Sequence, residues 1–178
     1  MLSYVFWHWK RPEIPAADYE SRLRGFQQAL AAAPPDGLVR AWCLTIRDAP
    51  WASAGAPAYE DWYLVRSSAD LDPLNDAAVT ASRQQPHDAA AIAASGGVAG
   101  LYRLRLGHPE ATPAFSWWFA KPTGTTYAQL YDLLQPVVDQ SGAVLWGRQM
   151  TLGPAREFCL QAPARVSLPA SLEALEGG

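Results

Sequence analysis

Residues 5–12 of this chain read VFWHWKRP, and residues 115–122 read FSWWFAKP. Both stretches join an aromatic segment to a basic residue and a closing proline, at one offset of 110 residues. Aromatic segments of this kind are typical of β-strands. A match at a fixed offset predicts that the chain is one structural unit written twice.

An amphipathic helix is predicted after each aromatic strand. The apolar positions of these helices recur at helical spacing and are Tyr19, Leu23, Phe26 and Leu30 in the first copy, and Tyr127, Leu130, Leu134 and Val137 in the second. Gly37 and Gly142 then precede second strands, and third strands are predicted over 60–66 and 156–161. Each copy therefore contains a strand, a helix and two further strands.

The two copies differ after their third strands. In the first copy we predict helical stretches over 69–81 and 87–94, a break at Gly96 and Gly97, and a fourth strand over 101–106. The second copy ends in a short segment over 171–175, so we predict that it lacks a fourth strand. The prolines within 108–113 indicate a linker between the copies.

This element order predicts an α+β fold of two ferredoxin-like units in tandem. The first strand carries large aromatic side chains on both faces, so neither face of its sheet is expected to contact water. We therefore expect the two antiparallel sheets to pack face to face within one chain. The predicted units are 1–107 and 114–178, the second one truncated, with 108–113 as the linker.

Composition excludes several classes of function. The net charge of −3, with 14 basic and 17 acidic residues, argues against a nucleic-acid partner. The chain shows no apolar run long enough for a membrane span and no signal-peptide pattern, so a protein of the cytoplasm without membrane contact is expected. Its two cysteines, Cys43 and Cys159, lie in apolar strand-like segments and do not suggest a disulfide framework.

Metal and cofactor motifs are missing from the sequence. The three histidines, His8, His87 and His108, have no metal-ligand spacing, and no phosphate-binding or nucleophile-elbow motif is present. We therefore expect no metal, no haem and no other cofactor. By this reasoning His8 is a core or edge histidine, and His108 is a solvated linker residue.

Three stretches resemble the stress-responsive dimeric alpha-beta barrel domain family. Residues 3–12 resemble its first strand, residues 61–71 its third strand running into a helix, and residues 85–90, QPHDAA, its His-Pro-x-His-x-Ala segment. Together they span roughly residues 3 to 107. The resemblance implies two ferredoxin-like sheets closed into a barrel around a central cavity, a fold that hosts cyclases, monooxygenases and haem proteins as well as members without known chemistry.

The match departs from the family pattern at its histidines. Gln85 stands where the family has the first histidine of its motif, and His87 comes one residue early. The family's histidine at the start of the first strand corresponds to Ser3. The same register implies that Trp7 and Trp9 face the cavity, and we expect Trp117 and Tyr63 to point between the sheets with them.

His87 is the candidate catalytic residue, with Asp88 or Asp61 as its orienting partner. A histidine at the start of a helix can also simply be solvated, so that alternative stays open. As a general base, an imidazole with an ordinary pKa near 6.5 suits proton transfer at neutral pH.

Two functions follow from these features. The first is binding of a small apolar or aromatic molecule in an aromatic-lined barrel cavity, with acid/base chemistry that needs no cofactor. The alternative is a non-enzymatic module with a solid aromatic core that acts in structure or in homo-oligomer assembly. The eight tryptophans fit both functions, and the volume of the cavity separates them.

Overall fold

The computed structural model describes residues 1–52, 57–150, 153 and 155–178. Its strands are β1 (Leu2–Lys10), β2 (Leu38–Ile46), β3 (Ala58–Val65), β4 (Ala94–Leu106), β5 (Phe115–Phe119), β6 (Val144–Arg148), β7 (Phe158–Ala162) and β8 (Leu175–Gly177). Its α-helices are α1 (Ala16–Ala32), α2 (Leu71–Ala78), α3 (Gln84–Ala91) and α4 (Tyr127–Ser141).

The eight strands form one closed antiparallel barrel in the order β1-β3-β2-β8-β5-β7-β6-β4. Each half of this order repeats one ferredoxin-like pattern: β4-β1-β3-β2 comes from the first unit, and β8-β5-β7-β6 from the second. We call these halves lobe 1 and lobe 2. The pairs β2–β8 and β4–β6 join the lobes at the two seams. The structure confirms the predicted α+β fold of two ferredoxin-like units that pack sheet to sheet within one chain.

The two long helices, α1 and α4, cover the outer faces of the sheets, because each of them has one apolar stripe. The buried residues of α1 are Tyr19, Leu23, Phe26 and Leu30, which are the four positions that the sequence period predicts. In lobe 2 the stripe of α4 is Leu130, Leu134 and Val138, one residue beyond the predicted Val137. Thr126 and Gln129 form a capping box at the start of α4, and Gly142 ends the helix at a φ of 66°.

Lobe 2 has a fourth strand, β8, so the prediction that the second copy lacks one is wrong. The three residues of β8 pair with β5, where Leu175 is opposite Trp118, and with β2, where Gly177 is opposite Ile46. A strand of three residues shows no measurable alternation, so periodicity could not detect it. This short strand closes one seam of the barrel. The division of the chain at residues 108–113 stays a prediction.

Gly96 and Gly97 lie inside β4 and do not break it. Strand β4 starts at Ala94 and pairs with the full length of β1. A Cβ atom at Gly96 would lie 2.7 Å from the Trp9 ring, and one at Gly97 would overlap the Phe6 ring. Glycine therefore makes room here for aromatic rings of the neighbouring strand. The break predicted at these glycines is wrong.

Aromatic side chains fill the interior of the barrel. Seven of them are buried there: Trp7, Trp42, Trp51, Trp62, Tyr102, Trp118 and Trp146. Trp62 lies among the others, with its ring centroid 5.5 Å from that of Trp146 and 5.7 Å from that of Trp118. Contacts at these separations form a continuous aromatic core across both lobes.

Within the described residues, no helix is long and apolar enough to cross a membrane.

Candidate functional site

The two faces of each strand divide the predicted ligand-binding residues. Trp7 lies inside the barrel, and Trp9 is half-buried beside Gly96. Tyr63 lies on the opposite face of β3 from the buried Trp62 and packs with Phe26 of α1. The expectation that Tyr63 points between the sheets is therefore wrong. Both faces of β3 are fully covered, so apolar composition could not tell which face is the inner one.

The expected orientation of Trp117 is also wrong. Trp118 occupies the barrel interior, whereas Trp117 belongs to the cluster formed with the apolar stripe of α4, and its Nε1 donates to Glu176 at 3.3 Å. Two adjacent tryptophans necessarily point to opposite faces of a strand. The 110-residue offset aligned Trp7 with Trp117, but the inward position in lobe 2 belongs to the next residue.

A cavity of about 660 Å³ lies between the outer face of the lobe 1 sheet and the helices that cover it. Its floor includes Tyr4, Phe6, Tyr63 and Ala99, and its helical walls include Phe26 of α1, Leu74 of α2 and His87 of α3. We call this cavity the helix-side groove. Its volume falls within the range of roughly 300 to 1,000 Å³ that is typical of small-molecule sites.

His87 lines the helix-side groove from the first turn of α3. Its ring meets the Phe26 ring edge to face, with centroids 5.4 Å apart, and its Nδ1 lies 3.1 Å from Asp88 Oδ1. In the tautomer that carries its proton on Nδ1, the ring donates to this carboxylate and Nε2 keeps its lone pair. The side chain of His87 is 32% exposed, which leaves the ring accessible from solvent.

Asp61, the other suggested partner of His87, is instead the centre of a buried polar network below the groove. Its Oδ2 lies 3.1 Å from His8 Nε2 and accepts from the Tyr63 hydroxyl at 3.1 Å, while its Oδ1 accepts from Gln27 Nε2 at 3.2 Å. His8 Nδ1 lies 2.7 Å from the Tyr19 hydroxyl. A neutral His8 that accepts from Tyr19 and donates to Asp61 satisfies every one of these contacts.

Tyr63 connects the buried network to the helix-side groove. Its ring lines the groove, and its hydroxyl is held by Asp61. Burial, with the Asp61 carboxylate adding to it, raises the pKa of Tyr63 well above the ordinary value. The phenol therefore stays neutral, with its proton directed at Asp61 and its oxygen lone pairs left to accept. Sequence patterns do not place His8 in such a network, because its partners come from separate elements.

A second buried carboxyl, that of Glu60, lies inside the barrel. Its Oε2 accepts from the indole nitrogens of Trp118 at 2.8 Å and Trp7 at 3.3 Å, and its Oε1 has no partner among the described residues. Burial raises the pKa of Glu60 from 4.5 to about 7, although the hydrogen bonds that it accepts act in the opposite direction. The sequence signal for this buried carboxyl is an acidic residue within an aromatic strand.

Metal ligands are not clustered in the part of the chain that the structure describes. No group of three or more histidine, cysteine, aspartate or glutamate side chains there is arranged to hold a metal ion. The nearest constellation, His8 with Asp61, uses both ring nitrogens of the histidine in hydrogen bonds. The described site therefore offers hydrogen-bonding and acid/base groups.

Comparison with known proteins identifies relatives by fold. No protein-family model matches the sequence, and no curated protein matches it. A candidate monooxygenase from Fusobacterium nucleatum is 8% identical with a TM-score of 0.59, covering 90% of this chain and 74% of its own. An anthrone oxidase-like protein is 12% identical with a TM-score of 0.50, covering 92% of this chain and 73% of its own.

A third similar structure is a dimeric protein with a ferredoxin-like fold from Bacteroides fragilis. It is 11% identical with a TM-score of 0.42, and the match covers 57% of this chain and 94% of that protein. At these identities the two structures with TM-scores of 0.59 and 0.50 show a shared fold and the fold alone.

Proposed function

We propose that this protein binds a small apolar or aromatic molecule in the helix-side groove and that His87 transfers protons at the bound molecule. The observation that supports this most directly is the groove itself, a cavity of about 660 Å³ with four aromatic side chains and a histidine along its surface. Apolar walls with a few polar groups are what small-molecule sites require, since burial supplies affinity and the polar groups supply orientation.

The groove supports this function better than the barrel interior does. The sequence predicts a ligand cavity between the sheets, but the described interior is occupied by the protein's own tryptophans. Trp7, Trp62 and Trp118 are each fully buried there. This packing favours the alternative function, a solid structural core, for the barrel itself. Of the predicted ligand-binding residues, Tyr63 lines the groove, and Trp7 and Trp9 lie on the inner face of β1.

His87 suits proton transfer because of its hydrogen bond to Asp88. The carboxylate holds the Nδ1 proton, which orients the ring and leaves Nε2 free to take a proton from a ligand. Asp88 is the orienting partner in this proposal, since Asp61 is committed to His8 and Tyr63.

The structural neighbours and the sequence resemblance add support of a general kind. One neighbour is a candidate monooxygenase and another is anthrone oxidase-like, so this fold accommodates proteins described as enzymes of small molecules. The segment Gln85-Pro86-His87 supplies both the resemblance to the stress-responsive family and the histidine of the groove. A relationship to that family is part of our proposal.

The proposed binding is tested by filling the groove. Ala99 on the groove floor is replaced by leucine, and melting temperatures are measured with a panel of fused-ring aromatic compounds. A compound at a hundred times its Kd stabilises the native state by about 2.7 kcal/mol, or roughly 5 to 10 °C for a chain of this size. We expect such a shift for the natural sequence and its loss in Ala99→Leu, because the added side chain occupies the binding volume.

The matched control is Ala31→Leu, which makes the same change at an exposed position of α1. It is expected to keep the full ligand-dependent shift. Tryptophan emission is a poor readout here, since the described residues that line the groove do not include a tryptophan. Equal shifts in Ala99→Leu and Ala31→Leu would place the ligand outside the groove and contradict the proposal.

The role of His87 is tested with His87→Asn and hydroxylated aromatic ligands. Loss of one hydrogen bond to the ligand is expected to weaken binding about tenfold, the effect of roughly 1.4 kcal/mol. The corresponding ligand without a hydroxyl group should bind both proteins equally. Isothermal titration calorimetry measures the two pairs. Equal weakening of both ligands would show that His87 only shapes the groove.

A further inference from the structure

The described lining of the helix-side groove has an acidic side chain but no basic side chain of fixed charge. Among its described lining residues, the only side chain with a fixed charge is Asp72, and no lysine or arginine is present. Asp72 lies in the first turn of α2, so its carboxylate meets the positive end of that helix dipole itself. The arginines of neighbouring segments bind elsewhere: Arg66 pairs with Asp70, and Arg83 donates to the carbonyl oxygens of Ala33 and Ala77.

Most polar side chains of the described groove lining accept hydrogen bonds. An exception is the exposed Asn75, whose Nδ2 donates to Asp76 at 3.3 Å. Asp72 offers only acceptor oxygens, and the Tyr63 hydroxyl already donates its hydrogen bond to Asp61. In the tautomer of His87 that donates from Nδ1 to Asp88, Nε2 presents a lone pair. A ligand that fills this cavity therefore gains most when it supplies donors, whether hydroxyl, amide N–H or ammonium groups.

An anionic ligand meets the opposite situation. Its carboxylate or phosphate would lose water on entering an apolar cavity, and no lysine or arginine of the described lining replaces that water. The Asp72 carboxylate would repel it further, to an extent limited by solvent because Asp72 is exposed at the rim. Dehydration thus accounts for most of the discrimination, and the charge of Asp72 adds a smaller part.

We infer that the helix-side groove selects aromatic molecules bearing neutral or cationic hydrogen-bond donors and discriminates against aromatic acids and phosphates. This inference rests on the proposed binding function and specifies its ligand class. The size of the cavity admits a fused-ring aromatic molecule, with the ring system against Tyr4, Phe6 and Phe26 and the donor group toward Asp72 or His87.

Three probes of one shape test the selectivity. 2-Naphthol, 2-naphthylmethylamine and 2-naphthoic acid share a ring system and are respectively neutral, cationic and anionic at pH 7.5. Calorimetric titration of the full chain is expected to give a Kd for the naphthoate at least about tenfold higher than the Kd for naphthol. The amine should bind at least as tightly as naphthol, and Ala99→Leu should weaken all three, which locates them in the groove.

Asp72→Asn separates the charge from the cavity. It should weaken the amine about threefold to fivefold and strengthen the naphthoate by a similar factor, as fits an exposed ion pair. Naphthol should change less than the amine, because its neutral hydroxyl can also donate to the asparagine oxygen or to His87. Asp132→Asn makes the same charge change on α4 at an exposed position and should change none of the three affinities. Naphthoate binding as tight as naphthol binding would overturn the selectivity while leaving groove binding intact. Failure of all three probes would overturn the groove function as well.

Discussion

The natural sequence is expected to lose about 3 kcal/mol of its free energy of unfolding between pH 4 and pH 8, and Glu60→Gln should not show this loss. A pKa shift of one unit corresponds to about 1.4 kcal/mol. The pKa of Glu60 is about 7 in the folded chain against 4.5 without burial. Below pH 4.5 the carboxyl is protonated in both states and costs nothing. As pH rises toward 7 only the unfolded chain ionises freely, so the free energy of unfolding falls, and above 7 it levels off.

Urea unfolding of the natural sequence and of Glu60→Gln at several pH values measures this effect. The difference in free energy of unfolding between the two should grow in favour of the glutamine variant as pH rises, because glutamine stays neutral throughout. Glu13→Gln, at an exposed position, is the control and should follow the natural sequence. A stability difference for Glu60→Gln that does not change with pH would show that burial does not raise the pKa of Glu60.

Replacing Trp118 with alanine is expected to destabilise the protein by about 3 to 5 kcal/mol, the range typical of large aromatic truncations in a core. The Trp118 ring lies 5.2 Å from those of Trp7 and Tyr102 and 5.7 Å from those of Trp51 and Trp62, measured between centroids. All four partners belong to lobe 1 or its connecting loop, whereas Trp118 belongs to lobe 2. Its removal therefore leaves a cavity at the contact between the lobes.

Two comparison variants separate the contributions of Trp118. Trp118→Phe loses the indole donor to Glu60 but keeps an aromatic ring. Because of the retained ring, it should lower the free energy of unfolding less than the alanine variant does. Trp9→Ala removes a ring that is only half-buried and should have a smaller effect. Denaturant unfolding curves give the three values. A cost below about 1 kcal/mol for Trp118→Ala would contradict a packed aromatic interior.

Local sequence patterns determined most of the element order. The apolar stripe of α1 and the aromatic segments of β1 and β5 are set by spacing within a few residues. Such spacing does not depend on how the rest of the chain folds. The match between residues 5–12 and 115–122 was enough to predict two ferredoxin-like units in one chain. It was not enough to fix their register, since the inward residue is Trp118 and the fixed offset points to Trp117.

The orientation of the strands was decided by tertiary structure. Alternation tells which residues share a face, but in β3 both faces are buried, one by the barrel interior and the other by helices. Tyr63 and Trp62 are equally apolar neighbours in the sequence, and only the packing of α1 and α2 shows which side each one faces. Closure of the barrel through β8 likewise depends on β2 and β5, which lie far from it in the chain.

By itself the sequence determined the fold class, the two-unit organisation and the prominence of His87 in a family-like segment. Tertiary structure alone decided that the cavity lies on the helix side of lobe 1, that Asp61 joins His8 and Tyr63, and that Glu60 faces the barrel tryptophans. The physical reason is that a strand or helix is specified by periodicity along the chain. A cavity or a buried polar network exists only between elements, where distances depend on how all of them pack.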